Sequence, residues 1–228
     1  MDTPKWISWA GLAAILGGLM AIVLTAPFVT AYFFAYPGYN VPPFWIHSLK
    51  PALGSLLTFA SPVVVYNVYG RIFDLVYLLF LPAAFGLHHL HQGASFRVEK
   101  WGFRILVTGL LATFIGVAGD YWADGAGFFI EVLGLLVLSI GATLYGVALL
   151  RSKVIPSWCA WLLVGYGPVA FVFVPLAGLQ SLPTFLYAIS LGFPEGPTFL
   201  FAIAWLIVGY MLVFKKGIRP QLEKQGAG

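Results

Sequence analysis

Apolar residues in this chain run nearly unbroken for about twenty positions at a time, and charge, proline and glycine gather in the short gaps between runs. The runs do not alternate every second position, as the ~10-residue segments of a membrane barrel would. They have the length of helices that cross a bilayer, which needs ~20 residues. The pattern predicts helices near 7–34, 69–90, 104–122, 127–150, 156–176 and 198–214. The first exceeds a bare span, so tilting or a kink near Pro27 is expected. It is also longer than the 7–15-residue core of a removable signal, which predicts a retained first helix.

The stretch 36–68, "YPGYNVPPFWIHSLKPALGSLLTFASPVVVYNV", is apolar in its middle but interrupted by Lys50, Pro51 and Pro62. It reads as an extracytoplasmic loop that lies on or dips into the membrane, with 45–66 as re-entrant, interfacial or a seventh span. "AGLQSLPTFLYAISLGFPEGP", 177–197, reads as a second loop on the same side. Together these aromatic-rich segments suggest a lid.

Composition agrees with a bilayer as solvent. Of 228 residues, 61% are hydrophobic and 9% charged, against about 25% charged in soluble domains. The fold class expected is all-α: a single polytopic bundle over 1–228 with six spans. The formal charge of +4 is no nucleic-acid signal, because the basic residues flank apolar runs. Cys159 stands alone, which excludes an intrachain disulfide and a multi-cysteine metal cage.

Ten of the twelve basic residues (Lys5, Arg97, Lys100, Arg104, Arg151, Lys153, Lys215, Lys216, Arg219 and Lys224) fall on the side of the termini, and Lys50 and Arg71 fall opposite. Cytoplasmic loops carry the Lys/Arg excess, so both termini are expected inside a cytoplasmic membrane.

The outer side then holds Asp74, Asp120, Asp124, Glu131 and Glu195. At ~1.5 Å per residue, Asp74 is ~7 Å, Glu131 ~6 Å and Asp120 ~3 Å inside its own helix. Three helices thus bring a carboxyl to one layer. Gly127, Gly134, Gly141 and Ala148 form a stripe of small residues that includes Glu131, and Gly109 and Gly116 lead to Asp120. Such stripes let membrane helices approach closely, so both acids are expected to face inward. Arg71 and Asp74, at i and i+3, stand close enough to pair. An ionisable side chain in a span costs ~2.5–3.5 kcal/mol on insertion scales and faces the bundle interior or a wet cavity. The structural alternative is plain: acids near helix ends reach headgroups, Arg–Asp pairs lock helices together, and Asp120 and Asp124 flank a turn.

Other constellations carry less. His88, His89 and His91 end the second predicted helix, and His88 and His91 share a face, but Glu99 is the only acid before the next helix. A metal would need further ligands, so the expectation is a histidine-rich end facing headgroups and no metal. Paired-histidine haem ligation is not expected, since the remaining His47 lies on the opposite side; His47 itself reads either as a solvated interfacial histidine or as one that reaches the acidic pocket from the lid. No GxSxG, P-loop or HExxH motif appears. Pro168 and Pro175 in "GYGPVAFVFVPLAG" have the potential to unwind a helix and free carbonyls. Trp and Tyr near span ends fit interfacial belts.

"GLLVLSIGATLYGVALLRSKVIPSWCAWLLVGYG" (134–167) and "AIAWLIVGYMLV" (202–213) resemble the last three helices of a broad group of uncharacterised six-helix bacterial membrane proteins. The resemblance covers about a third of the chain and implies six spans but no activity. The group often has a histidine near the outer start of its second helix, where this chain has Asp74.

The function expected is binding or transport of a small molecule or cation through an outward-facing acidic pocket, with Arg71, Asp74, Asp120, Glu131 and His47 as ligand-binding residues. An accessory or scaffold subunit, as a homo-oligomer or in a larger membrane complex, is one alternative. An intramembrane enzyme acting on a lipid or isoprenoid is the other, with Asp74 and Glu131 as acid and base. Cofactor, ligand and catalytic residues are not specified by the sequence.

Overall fold

A computed structural model describes residues 4–36, 44–91, 97–123, 125–177 and 198–214. Among these there is no strand, and helices joined by short turns account for nearly all of them. The elements are α1 (Lys5–Ala35), α2 (Phe44–Leu49), α3 (Gly54–Leu57), α4 (Pro62–His91), α5 (Arg97–Trp122), α6 (Phe128–Ser152), α7 (Ser157–Ala177) and α8 (Thr198–Phe214). Four of them (α1, α4, α5 and α6) are long and apolar enough to cross a membrane. Helices α7 and α8 are apolar and complete the same bundle. The outward faces carry large apolar side chains in the open, among them Trp9, Val23, Leu133 and Phe129, the last 80% exposed. A water-soluble monomer rarely shows apolar patches beyond a few hundred Å²; acyl chains are the solvent these faces suit.

The helices form a ring in chain order, α1–α4–α5–α6–α7–α8, closed by α8 against α1, with α4 also touching α8 across the middle. Glycine sets the two tightest seams. On α5, Gly102, Gly109 and Gly116 abut the backbone of Tyr145, Leu138 and Glu131 on α6; in return Gly134 and Gly141 of α6 abut Thr113 and Leu106 of α5. The seven-residue spacing on each strand of this zipper lets both backbones approach without a Cβ between them, the packing mode lipid favours. The seam of α1 and α8 repeats the device. A methyl on Gly11 would lie 2.7 Å from the Gly209 carbonyl, and one on Gly18 would lie 3.0 Å from that of Ala202.

Two boundaries differ from the sequence reading. Helix α4 begins at Pro62 rather than near 69, and α5 at Arg97 rather than near 104. Proline opens a helix without penalty because the first turn has no intrahelical acceptor for its missing N–H, so Pro62 starts α4 instead of interrupting a loop. The rest of 36–68 includes α2 and α3, two short helices against α1. Ile46 of α2 is fully buried, Lys50 Nζ lies 4.4 Å over the Phe34 ring, and the Tyr69 hydroxyl donates to the Leu56 carbonyl at 2.9 Å. Phe34 and Lys50 also line a groove of about 510 Å³, with Ala31, Leu57, Pro62 and Val65 among its other walls. Helix α7 continues through Pro168 and Pro175 without unwinding. Of the expected second loop, 177–197, Ala177 ends α7; residues 178–197 with Glu195, Asp124 and the basic residues from Lys215 on lie outside the described residues.

Candidate functional site

The C-terminal halves of α1 and α5 and the N-terminal half of α4 meet in an aromatic cluster. Phe28 packs its ring against Tyr66, Phe73 and Tyr121 at 5.3–5.6 Å, and the Tyr66 and Tyr121 hydroxyls share a 2.8 Å hydrogen bond. Gly70 lets α4 lie flat on the Tyr121 ring. One residue on, Arg71 turns to the end of α5: its Nε donates to the Tyr121 carbonyl at 2.9 Å, and its guanidinium sits 4.8 Å over the Trp122 ring. A cation at a helix C-terminus meets the negative end of the macrodipole. The pairing of Arg71 with Asp74 expected from their spacing is not formed. Arg71 has a better acceptor in a terminal carbonyl that no helical N–H uses.

Asp74 thereby forms no ion pair among the described residues. It is the thirteenth residue of α4, too far from either end for the macrodipole to help it. It is 4% exposed, and its Oδ1 has no hydrogen-bond partner among the described residues. Glu131 is 2% exposed, with its backbone pressed on Gly116 of α5, and it lies in the first turn of α6, where the helix dipole favours a carboxylate. Depth relates the two. Gly70 meets Tyr121 and His88 meets Glu99, so α4 and α5 run antiparallel with Asp74 near the level of Gly116. Gly116 in turn abuts Glu131. Two buried carboxyls therefore flank α5 at one depth, from α4 and from α6.

The other two expected members stand apart. Asp120 is half-buried over the turn joining α5 to α6, where its carbonyl accepts the Gly125 N–H at 2.9 Å; Gly125 has φ +87°, which suits glycine. His47 is exposed on α2 and makes no ion pair among the described residues. His47 points outward because Ile46, its neighbour on α2, takes the buried face.

At the far end of α4 the structure gathers what sequence reasoning had left as separate surface residues. Glu99, 1% exposed, accepts a hydrogen bond from His88 Nδ1 and lies 3.4 Å from His91 Nδ1. The signal was present: His88 and His91 share a helical face, and Glu99 is the one nearby acid. It becomes readable only once α5 is seen to start at Arg97, which puts Glu99 on a helix facing α4. No group of three or more His, Cys, Asp or Glu among the described residues is arranged to hold a metal ion.

Between the two ends, the Tyr77 hydroxyl bonds Thr198 Oγ1 at 3.2 Å, and the Tyr166 and Tyr145 hydroxyls and Trp205 Nε1 are buried without hydrogen-bond partners among the described residues. Buried polar groups thus come from every long helix of the bundle, at several depths. Comparison with protein-family models, curated proteins and solved structures finds no match.

Proposed function

We propose that this is an integral membrane protein of a bacterial cytoplasmic membrane, with six spans and both termini inside. It binds, and in the transport reading passes on, a proton or small cation at Asp74, with Glu131 as the second acid. The observation that carries this is the buried Asp74 carboxyl in mid-helix, whose Oδ1 has no hydrogen-bond partner among the described residues. A carboxyl there is expensive to keep in a membrane and marks a function by default, and among the described residues neither a cation nor a helix end offsets it. Arg71 belongs to the architecture of this site: by holding the end of α5 it leaves Asp74 free for a ligand. Asp120 and His47 are assigned to turn and surface rather than to binding. The resemblance to six-helix bacterial proteins and the distribution of Lys and Arg support the six-span, inside-termini arrangement.

The test is infrared spectroscopy of the protein in lipid nanodiscs. The carboxyl band that disappears in Asp74→Asn should respond to buffer pH. Adding Na⁺ or tetramethylammonium should displace its titration toward acid, because a cation bound to the ionised form competes with the proton. A band indifferent to both would end this reading.

A further inference from the structure

The cluster at the other end of α4 has the build of a second site. His88 is 22% exposed, while His91 is fully buried and Glu99 nearly so. Glu99 Oε1 is shared by the two Nδ1 atoms, one in a direct hydrogen bond and one at 3.4 Å without hydrogen-bond alignment. Phe103 stacks on the His88 imidazole at 3.9 Å between centroids, nearly parallel, and fixes the ring plane. His91 has neither ring nitrogen hydrogen-bonded among the described residues. Its ring stands edge-on to Tyr145, centroids 6.5 Å apart, and the buried Tyr145 hydroxyl also has no partner there.

Among the described residues no further charged side chain faces the cluster. From α5, Arg97, Lys100 and Arg104 are exposed, and Arg104 lies over Trp101. On α4, His89 turns to Trp6 of α1. From α6 the facing titratable group is Tyr145, while Arg151 is exposed. A carboxyl, two imidazoles and a phenol are therefore the titratable groups that meet here.

We propose that His88, Glu99 and His91 form a proton-binding relay that takes protons from water at His88 and delivers them to buried His91, independently of Asp74. A proton arriving at His88 Nε2 makes an imidazolium. Its Nδ1 proton passes to Glu99 Oε1, leaving a neutral imidazole and a neutral acid. A small rotation of His91 closes the 3.4 Å approach, Glu99 gives its proton to Nδ1, and a carboxylate and a buried imidazolium result. Net movement is one proton, from the exposed ring to the buried one. Imidazoles suit this because their unperturbed titration lies near neutrality.

The experiment is solid-state NMR of the full chain in nanodiscs, with ¹⁵N-labelled histidine, across a pH series. The wild type should show His88 and His91 titrating as a coupled pair, each curve changing when the other ring protonates. Glu99→Gln should lose that coupling, and His91→Gln should leave His88 with a single simple curve. Asp74→Asn should leave the pair untouched, so failure of the outer site and failure of this one read differently. Should Glu99→Gln not fold, the wild-type curves and His91→Gln decide alone. Independent wild-type titrations would overturn the proposal. So would a stoichiometric shift of both rings on adding Zn²⁺, which would make the cluster a metal site.

Discussion

Replacing Gly102 by alanine tests the glycine zipper that fixes the depth of Glu131. A methyl group there would lie 2.7 Å from Tyr145 N, 2.9 Å from the Leu144 carbonyl carbon and 3.0 Å from Tyr145 Cα, all backbone atoms of α6. Carbon contacts settle at ~3.5–4.0 Å, so α6 must retreat by about 0.8 Å or the helix must bend. Forcing an extra methyl into a packed interior costs about 1–3 kcal/mol. Alanine also gains about 1 kcal/mol over glycine in helix propensity, which would blur a single measurement. Gly165 supplies the control: it is helical and exposed, and nothing lies within 4 Å of a methyl there. The propensity gain is common to both substitutions, so their difference isolates the steric part, about 1–3 kcal/mol. Reversible unfolding by SDS in mixed micelles, followed by helical circular dichroism, gives both values. If Gly102→Ala proves as stable as Gly165→Ala, the close approach of α5 and α6 is wrong, and the shared depth of Asp74 and Glu131 goes with it.

Four further expectations follow from other contacts. Arg71→Ala should destabilise by about 1 kcal/mol through loss of the Tyr121 carbonyl bond, discounted because the side chain is exposed; a loss of several kcal/mol in the same assay would indicate a buried ion pair instead. Tyr66→Phe and Tyr121→Phe should each cost about 1 kcal/mol, and the double variant clearly less than their sum, since both remove one bond; full additivity would break the pair. Lys153→Gly should stabilise by about 0.5–1 kcal/mol, because Lys153 closes α6 in the left-handed region at φ 55°. Cys159 is fully buried, so single cysteines at Ser61 and Ser157, both exposed, can report sidedness with a membrane-impermeant maleimide. Ser61→Cys should react from outside intact cells and Ser157→Cys only after lysis; the reverse would invert the proposed orientation.

Helix α8 stands where its apolar run predicted, at 198–214, because hydrophobic length alone decides such a segment. Helices α4 and α5 start seven residues earlier than their apolar runs, since polar first turns and an opening proline are compatible with helix but invisible to hydropathy. That difference decided the sites. With α5 starting near 104, Glu99 belonged to a loop and the histidines to the surface; with α5 starting at Arg97, they converge. The common level of Asp74 and Glu131 was legible, but not how far Asp74 lies inside its helix: counted from Pro62 instead of 69 it is ~18 Å from the start, not ~7 Å. Partnership was not legible either: spacing put Arg71 beside Asp74, but a terminal carbonyl on another helix was the stronger attraction, and no local pattern announces that. The glycine stripe of α6 was readable as a close-approach face, but which helix answered it required the fold.

The seam between α1 and α8 has a consequence for biogenesis. Gly11 and Gly18 wait for Gly209 and Ala202, some 190 residues further along the chain. At translation rates of ~5–20 residues per second the first helix spends on the order of 10–40 seconds in the bilayer before its mate is synthesised. During that interval the half-built ring is open on one side, and its notched face is available to insertion factors or to another nascent copy.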